Sequence, residues 1–288
     1  MIHPDDAVDH ATDATDATDA TDATDANDAT DAPDATEPLF DATDATDATD
    51  ATDATEPLFD AYATDYRDAV AKSISFARQE HDYFARRKAE YLTELTDRLV
   101  GKPADAAVLD IGCGVGVVDA FLVPTFRQVH GVDVASEAVA HAASDHPRAN
   151  FSVHDGSALP FADDTFDVAF AACVLHHIDR LERAAFVAEM QRVIRPGGIG
   201  VVFEHNLFNP LTRLAVRRCE FDVGVHLLSK LGTTRLLRRS GVSPVASAYI
   251  ILHTSSRPVL DTLERRLASV PLGSQYYVAF RPAAAPIH

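Results

Sequence analysis

The first 66 residues contain no lysine or arginine, although they hold 20 of the 44 acidic residues in the chain. All 25 basic residues and the other 24 acids follow, so the net charge of −19 belongs to this N-terminal segment and the remainder is close to +1. A near-neutral remainder lacks the basic face that nucleic-acid binding requires. We therefore expect no nucleic-acid partner.

Cysteine is scarce, and its spacing excludes a common kind of metal site. Cys113, Cys173 and Cys219 are far apart and show no paired ligand spacing, so we predict no metal and free thiols. No basic-then-apolar leader opens the chain, and no apolar run approaches the ~18 residues of a membrane span. These absences predict a cytoplasmic protein without a membrane partner.

A low-complexity array fills the acidic segment. Thr-Asp-Ala triplets run over Ala11–Ala32 and Asp41–Thr55, and the phrase ATEPLFDA occurs twice. Such a composition has few apolar side chains to bury, so we predict a disordered tail over residues 1–55 and a folded domain over 56–288. A calcium-binding or solubilising arm is the functional alternative, but calcium loops need glycine turns that the array lacks. An expanded coding repeat is the simpler interpretation.

Helix and strand patterns alternate after the tail. Apolar residues at helical spacing predict helices within residues 60–100, ended by Gly101-Lys102-Pro103. Strand-like runs and helical patterns then take turns, which predicts a parallel sheet with helices on both faces, an α/β doubly wound fold. The predicted strands are Val108–Ile111, Gln128–Val132, Asn150–Val153, Asp167–Ala172 and Ile199–Phe203, with helices at Ser136–Ser144 and Leu181–Ile194. Val245–Leu252 and Gln275–Phe280, with a short helix near Val259–Leu267, predict an edge hairpin with an insertion.

Three glycines at alternate positions follow the first predicted strand. In doubly wound sheets ligands bind at the carboxyl ends of the strands, and Gly112, Gly114 and Gly116 lie at such an end. Glycine lets a backbone pass close to a ligand, although a tight turn would also explain one of them. The dinucleotide pattern G-x-G-x-x-G requires a glycine at position 117, which is Val117 here.

Polar residues end the next four strands as well. Asp133 is placed to accept hydrogen bonds from ribose hydroxyls, although Asp133 or Ser136 could instead cap a helix. Asp155 in the run His154-Asp155-Gly156-Ser157 could meet an adenine amino group. The fourth strand opens into His176 and His177, and the fifth ends in Glu204-His205-Asn206.

The run from Val108 to Asn206 resembles the Rossmann-like, S-adenosylmethionine-dependent methyltransferases of the methyltransferase-11 type. The matching segments are VLDIGCGVG, GVD, HDG, LPFADDTFDVAFAACVLHHI and RVIRPGGIGVVFEHN. The resemblance implies a Rossmann-like, seven-stranded sheet, mostly parallel with an antiparallel last strand, and N-terminal lid helices over the cofactor. It also implies S-adenosyl-L-methionine as the cofactor.

The resemblance assigns roles to residues by position. Asp133 would hold the ribose, Asp155 and Gly156 the adenine, and the backbone around Ala171 the amino group. The residues assigned to the methionine part are Asp110, Gly112, Gly114 and Gly116, and Cys113 and Val134 complete the predicted cofactor site.

The cofactor determines the expected chemistry. The acceptor displaces the sulfonium methyl in line, so catalysis consists largely of holding the two reactants in position. A base is needed only if the acceptor loses a proton. His205, His177 and Glu204 are the predicted catalytic residues, with His176 a further candidate; His177 could instead fix its loop. Asn206 and Asn209 would orient the acceptor or cap the next helix, and Tyr62 and Tyr66 could line the pocket.

Two other functions remain open from the sequence. The fold could serve as a catalytically silent, nucleoside-binding scaffold, or it could bind a nicotinamide cofactor, which Val117 opposes. The acceptor is expected to be a small molecule, and its identity and the oligomeric state are left open.

Overall fold

The structure, a computed structural model, describes residues 81–219, 222, 224–255 and 257–283. The predicted boundary between residues 55 and 56, the repeat array, the first part of the predicted lid, and Tyr62 and Tyr66 all lie outside these residues. Within them, no helix is both long and apolar enough to cross a membrane.

The described chain alternates helices and strands much as predicted. The helices are α1 (His81–Leu99), α2 (Asp119–Leu122), α3 (Ser136–Asp145), α4 (Arg183–Arg192), α5 (Pro210–Arg218), α6 (Lys230–Arg239) and α7 (Pro258–Arg266). The strands are β1 (Ala107–Ile111), β2 (Gln128–Asp133), β3 (Asn150–Val153), β4 (Phe166–Ala172), β5 (Ile194–His205), β6 (Ser243–Ile250) and β7 (Gln275–Arg281).

The seven strands form one sheet in the order β3-β2-β1-β4-β5-β7-β6. β7 pairs antiparallel with both β5 and β6, whereas the pairs among β1 to β5 are parallel. The predicted doubly wound sheet with an antiparallel last strand is therefore confirmed, and β6 with β7 forms the predicted edge hairpin around α7. The order reverses between β1 and β4, which is where such sheets bind ligands.

The fifth strand begins earlier than predicted. It was expected at Ile199, after the Gly-Gly turn, but pairing with β4 already starts at Ile194. The register shifts between Phe166 and Val168, and Gly197 has a φ of 86°. The glycine pair therefore forms an irregularity inside the strand, because only glycine adopts this backbone geometry without strain.

Alternate residues of the central strands face two separate apolar layers. Val108 and Val168 pack in one layer with α1 and α2, whereas Leu109 and Ala169 pack in the other with α4 and α6. Because successive side chains of a strand point to opposite faces, this alternation buries both faces of the sheet. The fold thus leaves the carboxyl ends of the strands as the place for polar groups.

A buried ion pair connects α1 to α7 in the C-terminal part of the domain. Glu264 of α7 accepts hydrogen bonds from Arg87 Nη2 at 2.8 Å, from Tyr91 Oη at 2.5 Å and from the Leu252 backbone N–H at 2.7 Å. Both Arg87 and Glu264 are buried. A second pair between the same helices, Glu94 with Arg265, is about half exposed.

We expect Glu264→Ala to lower the free energy of unfolding by about 3 kcal/mol, because it leaves the buried guanidinium of Arg87 without its main partner. The measurement is urea unfolding followed by circular dichroism.

Glu94→Ala is the matched control, and its exposed pair should contribute less than about 1 kcal/mol. Equal losses in the two variants would contradict a special role for the buried carboxylate.

Candidate functional site

The glycine loop turns away from the end of β1 and lies over β2. The backbone N–H groups of Gly112 and Cys113 both donate to the Val132 carbonyl, at 2.8 and 3.0 Å. Gly112, Gly114 and Gly116 have φ values of 79°, 52° and 73°, in the region that favours glycine. The loop geometry therefore needs these glycines for conformational reasons alone.

The three glycines differ in what a side chain would meet. A Cβ on Gly112 would lie 2.4 Å from Val174 Cγ2, and one on Gly116 would lie 2.9 Å from His146 Cδ2. A Cβ on Gly114 would meet no described atom within 4 Å. Protein packing thus accounts for Gly112 and Gly116, whereas Gly114 borders open space at the expected position of a ligand.

Asp133 joins the end of β2 to the glycine loop. Its Oδ2 accepts a hydrogen bond from the Gly114 backbone N–H at 2.7 Å, and its Oδ1 accepts one from the Ala135 backbone N–H at 3.0 Å. Burial raises the pKa of this carboxyl, and the two backbone bonds oppose the rise. Neither Asp133 nor Ser136 is the N-cap of α3, since Ala135 occupies that position. The capping alternative is therefore wrong.

A second wall of the cleft comes from the loop after β3. Gly156 has a φ of 81°, and a Cβ there would meet only Val134 Cγ1, at 3.6 Å. Asp155 is exposed, and its Oδ1 accepts from the Ser157 backbone N–H at 2.9 Å and from Ser157 Oγ at 2.7 Å. These hydrogen bonds hold the pKa of Asp155 at about 2, so it is ionised. Val134 and Gly156 lie close enough to border one space.

β1 and β4 separate at their carboxyl ends. Their pairing ends at Asp110 with Phe170, while Ala171 continues only with β5, opposite Val202.

Cys113 is buried beside this opening, and Cys173 has a φ of 62°, unusual for a residue other than glycine. Together with Cys219, these cysteines form no disulfide, as predicted.

Two buried carboxyl groups stand beneath the glycine loop. Asp110 and Asp119 are almost fully buried, and apart from each other's carboxyl group no described side chain donates to either oxygen of Asp119 or to Oδ1 of Asp110. Burial raises the pKa of Asp110 well above its ordinary value, the charges of Asp119 and Asp133 raise it further, and the Lys88 ammonium opposes them. Burial also raises the pKa of Asp119 to about 7, although a hydrogen bond with the Asp110 carboxyl group opposes the rise. The pair therefore holds at least one proton at neutral pH.

Sequence reasoning missed both Asp119 and Lys88. Lys88 is a buried lysine on the inner face of α1, within electrostatic reach of Asp110, Cys173 and His205. A lysine on the apolar face of a helix was the available signal. Asp119 is the first residue of α2, directly after the glycine loop, and the sequence alone does not show that its side chain is buried beside Asp110.

The ends of β4 and β5 meet in a buried histidine–carboxylate cluster. Glu204 is fully buried, and its Oε2 lies 2.6 Å from His176 Nδ1. His176 Nε2 lies 3.3 Å from Asp222 Oδ1, and His177 Nε2 lies 3.4 Å from the same oxygen. The His205 ring lies beside that of His176, with 5.3 Å between centroids. The predicted catalytic residues are therefore neighbours. Asp222, which the sequence analysis did not identify, belongs to the same cluster.

The three histidines of the cluster differ in their protonation state. Burial alone would lower the pKa of His176, but the charge of Glu204 and the bonds to Asp222 and Glu204 raise it to about 10. Burial and the charge of His176 lower the pKa of His177 and of His205 to about 4. His205 and His177 are therefore neutral near pH 7, although their low pKa values make them weak bases, whereas Glu204 is hydrogen-bonded to His176.

The two asparagines have structural partners. Asn209 caps α5, with its side chain accepting from the Leu211 and Thr212 backbone N–H groups. Asn206 is buried, and its Nδ2 donates to the Pro271 and Gly273 carbonyls. The capping interpretation is confirmed for Asn209, whereas Asn206 anchors the loop before β7.

Comparison with known proteins shows which family model this chain matches. Residues 108–198 match the family model described as a methyltransferase domain. One relative is named "Probable S-adenosylmethionine-dependent methyltransferase", of Mycolicibacterium smegmatis; it is 32% identical over 127 residues, which are 44% of this chain and 47% of the relative. Another is the 27-O-demethylrifamycin SV methyltransferase of Amycolatopsis mediterranei, 36% identical over 120 residues, 38% of this chain and 43% of the relative.

The fold also has solved counterparts. The crystal structure of the [4+2]-cyclase SpnF matches with a TM-score of 0.50 and 20% identity, covering 68% of this chain and 82% of that chain. The chain spans about half the length of the two relatives. The predicted family and cofactor agree with these relatives, whereas the assignment of individual site residues remains a prediction.

We expect Asp119→Asn to stabilise the protein increasingly as the pH rises. The ordinary pKa of an aspartate is about 4 in the unfolded chain, whereas Asp119 has a pKa of about 7 in the fold. The stability contributed by its protonated form is complete below about pH 4 and is lost as the pH rises through 7. Asparagine resembles the protonated form, so its advantage in the free energy of unfolding should grow by roughly 2–3 kcal/mol between pH 5 and pH 8.

Urea unfolding at the two pH values measures this difference. The exposed Asp97→Asn serves as control and should change stability by less than about 0.5 kcal/mol at either pH. An advantage for Asp119→Asn that is the same at pH 5 and pH 8 would exclude a raised carboxyl pKa.

Proposed function

Because residues 108–198 belong to a methyltransferase domain family, we propose that the protein transfers a methyl group from S-adenosyl-L-methionine to a small-molecule acceptor. The observation that carries this proposal is the open space at Gly114, held beside the half-buried carboxylate of Asp133 at the point where the strand order reverses. Bound there, the cofactor supplies an electrophilic sulfonium methyl. The protein would contribute position and charge.

The charged groups under the glycine loop fit an amino acid. Asp110 and Asp119 present carboxyl oxygens that accept from no described side chain outside the pair, which suits the ammonium group of the methionine part. Lys88 brings a buried ammonium to the same place, which suits its carboxylate. Pairing would compensate charges that are costly to bury alone. These three residues are proposed to hold the two ends of the amino acid, and Cys113 lies beside them.

The nucleoside part fits the other side of the loop. Each carboxylate oxygen of Asp133 accepts one backbone hydrogen bond and retains a second lone pair for a ribose hydroxyl. Val134 and Gly156 border the space beyond it and could enclose a flat base. Because Oδ1 of Asp155 is engaged with Ser157, its Oδ2 would be the oxygen available to an adenine amino group.

The acceptor is proposed to lie against the ends of β4 and β5. His205 is half-buried and neutral, so it could take a proton from an acceptor hydroxyl or amine. Glu204 would act as a positioning residue, because His176 occupies it. His177 would line the same region, and Ala171 would offer its backbone to the cofactor. The name of the rifamycin relative supports a small-molecule acceptor.

A catalytically silent or differently active scaffold is the second candidate. The cyclase has a similar fold, and its printed name describes a reaction other than methyl transfer. Fold similarity alone therefore does not decide the reaction. A protein that binds the cofactor but forms no S-adenosylhomocysteine with any acceptor would favour this alternative. Preferential binding of NAD would favour the nicotinamide alternative.

We expect Gly114→Ala to weaken the binding of S-adenosylmethionine by about tenfold or more, because the added methyl group enters the space assigned to the ligand. Isothermal titration calorimetry with S-adenosylmethionine and S-adenosylhomocysteine measures this effect. NAD should give no comparable heat with the unaltered protein.

Gly241→Ala is a matched control. Gly241 also has a positive φ, 84°, and open space around its Cβ position, but it lies in the turn before β6. Both variants carry the same kind of backbone strain, so an equal loss of affinity in both would rule out a ligand at Gly114.

We expect His205→Ala to lower turnover by roughly 100-fold while cofactor affinity stays within about twofold, if the acceptor loses a proton to this ring. Turnover is measured as S-adenosylhomocysteine formed in a screen of candidate acceptors, and affinity by calorimetry. Unchanged turnover would remove His205 from the mechanism and leave His177 as the candidate base.

A further inference from the structure

Three possible metal ligands converge where α5 leads away from the ends of β4 and β5. His176, His177 and Asp222 each offer one ligand atom, and these atoms all lie within 4.8 Å of one another. Two histidines with one carboxylate form a common ligand set for divalent transition metals. Among the described residues, this is the group with that property.

The distances suit a bound ion. Asp222 Oδ1 lies 3.3 Å from His176 Nε2 and 3.4 Å from His177 Nε2. Metal–ligand bonds of about 2.0–2.1 Å place neighbouring ligands of a tetrahedral zinc site about 3.3–3.4 Å apart. Two of the three edges of the ligand triangle therefore already have the length that an ion would require.

A carboxylate supports one ligand from behind. Glu204 Oε2 lies 2.6 Å from His176 Nδ1, and both side chains are fully buried. Metal-binding histidines commonly donate their other ring nitrogen to a carboxylate, which fixes the tautomer and the ring orientation. Here that hydrogen bond fixes the ring with Nε2 towards Asp222 and His177.

The charges of the cluster and its partial exposure to solvent also suit a metal ion. A divalent cation would balance the two carboxylates of Glu204 and Asp222, both of which are almost completely removed from solvent. The His177 side chain keeps 19% exposure, so the cluster is not closed on that side. An ion held by three protein groups with one open side has the arrangement of a reactive, rather than a purely structural, metal site.

We propose that His176 Nε2, His177 Nε2 and Asp222 Oδ1 bind one divalent transition-metal ion of the zinc, cobalt or iron(II) type. Imidazole ligands favour these ions over Mg²⁺ and Ca²⁺. The proposal replaces the expectation of no metal drawn from the cysteine spacing. It does not depend on methyl transfer, because the ligands follow β4 and α5, whereas the proposed nucleoside site lies at β1, β2 and β3.

The test is a titration of the chelator-treated full chain with Co²⁺, followed by visible absorption. One equivalent should produce the intense bands of a four- or five-coordinate cobalt with nitrogen ligands, and Zn²⁺ should abolish them by competition. The aspartates of the N-terminal array bind through oxygen alone, which favours six-coordinate cobalt with weak bands. Their contribution is the same in every variant.

His177→Ala and Asp222→Asn should each weaken Co²⁺ binding by about tenfold or more. His226→Ala is the matched control, because His226 is exposed in the same connection before α6 and lies outside the cluster. Circular dichroism establishes that each variant folds. If Asp222→Asn does not fold, the result for His177→Ala tests the metal site, because the partly exposed His177 side chain is easier to replace without unfolding the protein.

Absence of the cobalt bands in the unaltered protein, or equal bands in all variants, would overturn the metal site and leave a metal-free ion-pair network. Calorimetry with S-adenosylmethionine on the same samples separates the two proposals. Cofactor binding without cobalt bands refutes the metal site alone, and cobalt bands without cofactor binding refute the proposed function alone.

Discussion

The site depends on the divergence of β1 and β4 at the centre of the sheet. Hydrogen bonding between these strands stops at Asp110 and Phe170, because the chain leaves β1 towards β2 and leaves β4 towards β5. The loops that follow must separate, and a cleft opens between them. The glycine loop forms one side of the cleft, and the histidine cluster lies beyond the ends of β4 and β5. Without this reversal of strand order, the polar residues would be distributed over loops that do not meet.

Burying so many ionisable groups at one edge of a sheet is costly, and each group is compensated differently. Asp133 is compensated by backbone N–H groups, and Glu204 by His176. Asp110 and Asp119 have no such donor, and their carboxyl pKa values are raised by burial. The fold itself therefore stabilises the carboxylates of Asp133 and Glu204. The acidic pair is compensated only in part, by protonation and by the Lys88 ammonium, and under the proposed function a cationic ligand group would relieve the remaining cost.

The sequence was sufficient to predict the sheet because its signals are local. Val108–Ile111 and Gln275–Phe280 were recognised from short apolar runs, and each observed strand is longer by one residue. The Gly-Gly turn was misjudged, since only pairing with a neighbour shows that β5 continues through Arg195 and Gly198. Local patterns identify an element, whereas its ends depend on partners distant in sequence.

The site was predicted less completely, for a related reason. Asp133 and the glycines follow directly from strands, so their position could be read from the chain. Asp222 lies 46 residues after His176, and no periodicity connects the two. The sequence also did not indicate that Glu204, predicted to be catalytic, is fully buried with its Oε2 2.6 Å from His176 Nδ1.

The histidine cluster shows how much the charge states at the ends of β4 and β5 depend on side chains outside the glycine loop. Two histidines adjacent in sequence, His176 and His177, have pKa values displaced in opposite directions. Burial lowers both, but Glu204 and Asp222 more than offset it at His176, whereas burial and the charge of His176 prevail at His177. Neither carboxylate belongs to the glycine loop or to the proposed nucleoside site. Under the proposed function, the glycine loop would hold the cofactor, and a separate group of side chains would face the acceptor. A common fold can then support methyl transfer in one protein and a cyclisation in another.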